Sequence, residues 1–548
     1  MDALLSPAGL RQLIRSRQPF ALLDIREPGE FGRGHLLLAS NAAAGRLEWT
    51  IDARVPARGV PVVLCADWEG PQAHDALLRL RRASDTLRAM GYRDLRLLEG
   101  GPAAWAASGF EVFTGFNVPS KTFGERLEQV RQTPHIEAAA LHEQLETGRV
   151  VVVDCRPRDE HLRGAVPGAM HLPGVELAAR LEQLPIDEGT TVVVHCAGRT
   201  RGIVATQSLI DLQYRRPIAV LNNGLIGWEL AGLALSRPAQ VPAAFEPLRP
   251  SPSLLQRARE RAERTGVRRL DAQAWRTMAS LGDDGGHRAL YCFDVRDADE
   301  YAAGHAAGFR HVPGGQLLQS LDDHAAVRGG TIVLFDVEEV RALVAAAYLR
   351  EMGWDEVYVL DREAAQTAIA DRSQPAAARE DLRETAPELE PAQFLTASEL
   401  ARSCVAEGAE CASWPIIDLG PSPAYRQQHL PRARFAARGL LHRFVPQWRE
   451  LPGLILVCED GRLSALTAPA LQAELGRPVQ VLRGGTCAWQ RAGLPLSSEA
   501  DWLTDPVDVA TTPYDYEGDV HRQMQAYIDW ELELVGKAER DGSLSFRI

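Results

Sequence analysis

The chain is nearly devoid of lysine: of its 60 basic side chains only Lys121 and Lys537 are not arginine. Together with abundant alanine, this bias reads as the product of a GC-rich bacterial genome. No apolar run approaches the ~18 residues that a membrane-spanning helix needs. The first 20 residues carry charges throughout and lack an apolar h-region, so they do not read as a signal peptide. The expected location is therefore cytoplasmic, without membrane association. Net positive charge is also missing. A formal charge of -13 and a pI of about 5.6 argue against a general binder of nucleic acid or anionic membrane. The eight cysteines, Cys65, Cys155, Cys196, Cys292, Cys404, Cys411, Cys458 and Cys487, form no Cys-x-x-Cys and no metal-like Cys/His spacing. No metal or organic cofactor is implied. Disulfides are not expected in a reducing cytosol, so a special cysteine would be catalytic or redox-active.

What is present is an ordinary globular composition, 45% hydrophobic and 24% charged, over 548 residues. At roughly one domain per ~150 residues, three or four domains are expected. An internal repeat makes the number four. Four β-like segments end in aspartate, at Asp24, Asp154, Asp294 and Asp418. Three continue as Asp-x-Arg, to Arg26, Arg156 and Arg296; the fourth has Gly420. Six residues past each aspartate stand Glu30, Glu160, Glu300 and Ala424; eleven past it stand His35, Ala165, His305 and His429. A second apolar run leads into a loop whose entrance residue is Cys65, Cys196, Asp336 or Cys458. These lie 41, 42, 42 and 40 residues after the aspartates. A third apolar run follows, and three copies then close with Gly101…Trp105, Gly224…Trp228 and Gly485…Trp489.

Alternating short apolar runs and helical patterns over ~110 residues predict small α/β domains, each a mainly parallel sheet flanked by helices. The units are expected at residues 1–115, 135–238, 268–372 and 393–498, with a C-terminal tail over 499–548. Linkers are placed at residues 115–134, in the proline-rich stretch containing Pro238 and Pro252, and at 371–391. The long second linker predicts pairing of the first domain with the second and the third with the fourth. The tail carries a possible helix near residues 520–535, expected to pack across a domain rather than catalyse.

These motifs resemble rhodanese homology domains. The second copy carries the resemblance best, with Asp154-Cys155-Arg156-Pro157, then Glu160 to Ala169 including Gly164 and Gly168, the Cys196 loop, and Gly224…Trp228. The resemblance implies a sulfurtransferase with ping-pong chemistry. A cysteine takes sulfane sulfur from a small anionic donor such as thiosulfate, becomes a persulfide, and passes the sulfur to a thiol or to cyanide. A thiolate at a strand end can sit in a cup of backbone N–H groups that also holds the anionic persulfide. In Cys196-Ala197-Gly198-Arg199-Thr200-Arg201-Gly202, glycine permits the curvature and two arginines are expected to attract the donor. Cys196 is the first catalytic candidate. Cys458 is the second: its loop offers Gly461 and Arg462, but Glu459 and Asp460 follow the thiol directly and raise its pKa. Cys65 faces Asp67 and Glu69 without an arginine and reads as a packing residue. Asp336 forms no persulfide, so the third domain is expected to be inactive. The Asp-x-Arg element recurs even there and reads as a structural ion pair. The remaining cysteines read as packing residues, and His195 as a bystander.

Two other readings stay open. A Cys-dependent phosphatase requires arginine six residues past the cysteine, where Gly202, Pro71 and Ser464 stand. A non-catalytic sulfur carrier or scaffold fits the degenerate copies.

Overall fold

A computed structural model describes residues 3–68, 73–184, 186–187, 189–238, 245–281, 287–370, 393–405, 414–511 and 518–548. Its core is four copies of one sheet. In each, five parallel strands run in the spatial order first, fifth, fourth, second, third. The central strands are the apolar runs of the sequence. In the second unit they are Val150–Asp154, Thr191–His195 and Ile218–Leu221. Such strands are buried on both faces, which is why they read as continuous rather than alternating apolar segments. The edge strands are only two or three residues long, as at His135–Ile136 and Phe394–Leu395. They were too short to stand out in the sequence.

The strand-end aspartate organises the turn beyond it. Asp24, Asp154 and Asp294 are fully buried. Each accepts two hydrogen bonds from its Asp-x-Arg partner, Nε at 2.9 Å and Nη2 at 2.6 Å. The same arginine also donates to the carbonyl of Gly34, Gly164 or Gly304. The residue eleven past the aspartate forms a β-bridge with the end of its own unit, as in His35 with Phe113, Ala165 with Ser236 and His429 with Ser497. This position is structural, and alanine serves there as well as histidine. Each closing tryptophan is buried, and its indole N–H donates to the carbonyl six residues on. The pairs are Trp105 to Glu111, Trp228 to Ala234 and Trp489 to Pro495.

The units pair differently from the expectation. The second packs on the third and the first on the fourth, each through the same segment, about 21 residues past the aspartate. Gly174 meets Gly315 so closely that a methyl group on Gly315 would lie 2.7 Å from the Gly174 Cα. At the equivalent positions, a Cβ on Gly45 would stand 3.2 Å from the Gly439 nitrogen. Ion pairs flank both contacts: Arg341 to Glu176 at 2.7 Å, and Arg438 to Glu48 at 2.8 Å. Linker length does not decide this pairing; the self-complementary glycine face does. The first and third units also meet, where Val327–Arg328 pairs antiparallel with Phe20–Ala21 of the first sheet.

The expected linkers are partly structured. Residues 115–134 hold the helix Val118–Arg131, with most of its first half buried. Beyond residues 239–244, which are not described, the second linker ends in the helix Pro252–Arg264, packed on Val340–Glu351. The third, at 371–391, lies outside the described residues, as does Cys411. The tail forms the 22-residue helix Val520–Asp541. It lies across the first unit, the Val118–Arg131 helix and the second unit. Among the described residues no helix is long and apolar enough to cross a membrane.

Replacing Gly315 by alanine should overpack the contact between the second and third units. The expected cost is about 1–3 kcal/mol, read as a lower urea midpoint of the full chain. An unchanged midpoint would contradict this packing.

Candidate active site

The loop entrance residues sit at the carboxyl ends of the central strands, where open α/β sheets place their ligand sites. Cys196 follows Thr191–His195 directly, and the helix Thr200–Asp211 begins four residues later. The loop is held from below by the closing helix Gly224–Leu230: the N–H groups of Leu225 and Ile226 donate to the carbonyls of Cys196 and Ala197, both at 3.0 Å. Gly224 has φ +54°, and a side chain there would overlap the Cys196 and Gly198 carbonyls. Gly101 and Gly485 make the same approach in the first and fourth units. The glycine of the Gly-x-x-x-Trp close is thus a requirement of the cysteine loop.

Each arginine of the loop is bound to acids. Arg201 forms a two-point pair with Glu160 at 2.7 and 2.8 Å. Arg199 donates from Nε and Nη2 to Glu125 at 2.8 and 2.9 Å and also reaches Glu128. Its Nη1 reaches Asn222 and Asn223 at 3.1 and 2.9 Å. Both therefore differ from the expectation of free guanidinium groups awaiting an anion. Arg201 still lowers the Cys196 pKa, but as a fixed charge in a clamp between two loops.

The third unit repeats this clamp with Arg341 and Glu300. The first rebuilds it with Arg79 and Glu30, at 2.7 and 3.0 Å. Arg79 lies in the middle of the helix Ala73–Ala89, outside the loop motif, and sequence spacing did not point to it. The fourth unit has lost both members, with Ala424 and Leu463 at these positions.

The outer surface of the Cys196 loop is covered by two elements from outside its unit. Gly124 of the Val118–Arg131 helix packs on Thr200, where a Cβ would come within 2.8 Å of the threonine methyl. From the C-terminal helix, Tyr527 and Glu531 press on Gly198, each 3.3 Å from where a side chain would begin. Glu531 Oε1 accepts from Lys121 at 3.3 Å, Tyr527 at 3.2 Å and Thr200 at 3.3 Å. Its Oε2 is buried without a partner. Lys121, one of the two lysines, is buried over the Tyr527 and Trp530 rings. Cys196 itself is 2% exposed.

The three thiols differ in electrostatics. A hydrogen bond from the Cys155 thiol lowers the Cys196 pKa most; burial opposes it, Arg201 and the Gly202 N–H add to it, and Glu531 opposes. The balance lies below an ordinary thiol. Burial pushes Cys458 up against the hydrogen bonds of Ser464, and Asp460 pushes further. Its sulfur accepts the Ser464 N–H at 3.4 Å, while Arg462 is half exposed and turned to Asp460. Burial raises Cys65 strongly, with Asp24 and Asp67 adding to it. Asp336 replaces the sulfur in the third unit and accepts from Arg341 Nη2 at 2.8 Å. His195 is fully buried; loss of water lowers it to about 4, so it stays neutral beside Asp154.

Comparison with known proteins agrees with this architecture. The rhodanese-like domain model matches residues 6–108, 137–231, 277–363 and 401–492. The whole chain superposes on the crystal structure of a thiosulfate sulfurtransferase from Pseudomonas aeruginosa, with a TM-score of 0.88 and 35% identity, covering 100% of this chain and 99% of that one. A sulfurtransferase of Allochromatium vinosum is 31% identical over 104 residues, 19% of this chain and 94% of that protein. The HTH-type transcriptional regulator Rv0324 of Mycobacterium tuberculosis is 35% identical over 106 residues, 19% of this chain. That match spans only 46% of the regulator's length.

Thiol alkylation followed by peptide mapping across pH should rank the cysteines. The thiolate alkylates, so Cys196 should reach half its maximal rate at lower pH than Cys458 or Cys65. Arg201→Met should move the Cys196 midpoint upward. A Cys196 midpoint above that of Cys458 would contradict the electrostatic ranking.

Proposed function

Because the chain belongs to the rhodanese-like sulfurtransferase family, we propose that it moves sulfane sulfur from thiosulfate or a related persulfide donor to a thiol or cyanide through a persulfide on Cys196. The observation that carries this reading is the lowered pKa of Cys196, alone among the three thiols at the loop entrance. With thiosulfate, the Cys196 thiolate attacks the outer sulfur, the S–S bond of the donor breaks, and sulfite leaves with the bonding pair. The acceptor then attacks the new terminal sulfur, and Cys196 departs as thiolate. A low pKa helps both halves: it supplies the nucleophile first and the leaving group second.

The main chain of Ala197, Gly198, Arg199, Thr200, Arg201 and Gly202 forms the cradle for the transferred sulfur. The Arg199 and Arg201 side chains shape it and bias its potential. Glu531 at the mouth penalises a doubly charged donor, which favours a persulfide of lower charge as the cellular substrate. Cys458, with Gly461 and Arg462, is a second and weaker sulfur site. Phosphatase chemistry is disfavoured by Gly202 at the position where a phosphate cradle needs arginine.

Cys196→Ser is expected to bring thiosulfate:cyanide turnover of the full chain to background, while Cys458→Ser keeps most of it. Turnover surviving in Cys196→Ser, or efficient hydrolysis of p-nitrophenyl phosphate by the parent protein, would overturn the assignment.

A further inference from the structure

Cys155 read as a packing residue in the sequence, but its place in the fold is unlike that of its three counterparts. It follows Asp154 at the end of its strand, where the other copies carry Ile25, Val295 and Leu419. Asp154 pairs with His195 in the neighbouring parallel strand, and the Cys155 N–H continues the ladder to the His195 carbonyl at 3.0 Å. Cys155 and Cys196 are therefore lateral neighbours pointing to the same face of the sheet, and both lie in one packed core. Adjacent strands stand about 4.8 Å apart, within the range over which two cysteine sulfurs can bond. The thiols are in hydrogen-bond contact.

Cys155 also faces a cavity between the second and third units. Ser120, Phe123, Thr200, Gln319 and Tyr348 help to line it. Its walls are mostly apolar, yet Ser120 Oγ and Gln319 Oε1 are buried in it without a partner. Ser120 is 1% exposed. Unsatisfied buried polar atoms beside apolar walls call for a small occupant with a hydrogen-bonding group. Cys196 does not line this space, and its own loop is covered by the C-terminal helix.

We propose that Cys155 is a relay thiol, which takes the sulfane sulfur from Cys196 and presents it to a small uncharged thiol in the interdomain cavity. This rests on the Cys196 persulfide proposed above. In the relay step the Cys155 sulfur attacks the terminal sulfur of the Cys196 persulfide. The bond from Cys155 to that sulfur forms as the bond to Cys196 breaks, and the departing Cys196 sulfur takes the Cys155 proton. The products are a Cys155 persulfide and a free Cys196 thiol, with no outside oxidant or reductant. Cys196 is the better leaving group of the two, which drives the sulfur toward Cys155.

The full chain is loaded with thiosulfate, rapidly alkylated, digested and mapped for added sulfur. The relay predicts added sulfur on both the Cys196 and Cys155 peptides of the parent protein, and on neither in Cys196→Ser. In Cys155→Val, which installs the residue the third unit already carries, the sulfur should be confined to Cys196. Its discharge to 2-mercaptoethanol should slow at least ~10-fold. Sulfur on Cys196 but never on Cys155 overturns the relay and leaves the parent reading intact. A Cys155–Cys196 disulfide with release of hydrosulfide also overturns it, because attack then falls on the Cys196 sulfur itself. A parent protein with no sulfur on Cys196 overturns both.

Discussion

A thiolate at the end of a buried parallel sheet has lost its water, and only fixed charges and dipoles of the protein can replace that water. The four copies are four answers to this constraint. In the second unit Arg201, the Gly202 N–H and the Cys155 thiol together outweigh burial and the opposing Glu531. In the fourth, N–H donors remain but the arginine clamp is gone and Asp460 stands beside the sulfur. In the first, the clamp survives through Arg79, but Asp24 and Asp67 act on Cys65 directly. The third abandons sulfur altogether: Asp336 supplies a permanent anion, and Arg341 is locked to it, to Glu300 and to Glu176 of the second unit. Burial of one sign of charge is tolerated only where its partner is built in. The pseudo-active loop of the third unit has become part of the interface that holds the second.

The same constraint explains why the active loop is not a free-standing feature of its domain. Arg199 is paired by Glu125 and Glu128 from the helix between the first two units. Thr200 and Gly198 are covered by Glu531 and Tyr527 of the C-terminal helix. Lys121 then neutralises Glu531. The array is thus a support for one loop as well as a string of repeats, and the near-absence of lysine elsewhere sets this residue apart.

Much of this was legible in the sequence. The apolar runs became the central strands, and the spacing of about 41 residues from aspartate to loop marked four sheets of one topology. The Asp-x-Arg pair and the structural role of the +11 position could be read because the third copy and Ala165 broke any link to catalysis. Long-range partners could not be read. Glu125, Glu531 and Arg79 lie outside the repeat motifs, and nothing in their local sequence points to the residues they meet. Gly45, Gly174, Gly315 and Gly439 share a register, but which glycine meets which depends on three-dimensional closure. Cys155 beside Cys196 follows from strand order, which the linear spacing does not contain.

The central claim is that loop electrostatics select Cys196 as the sulfur carrier. A crystal structure of the full chain after soaking in excess thiosulfate tests it directly. The account requires new density for a sulfur about 2.05 Å from Cys196 Sγ, enclosed by the loop from Ala197 to Gly202. A bare Cys196 beside a modified Cys458 or Cys65, or three unmodified thiols, would contradict it.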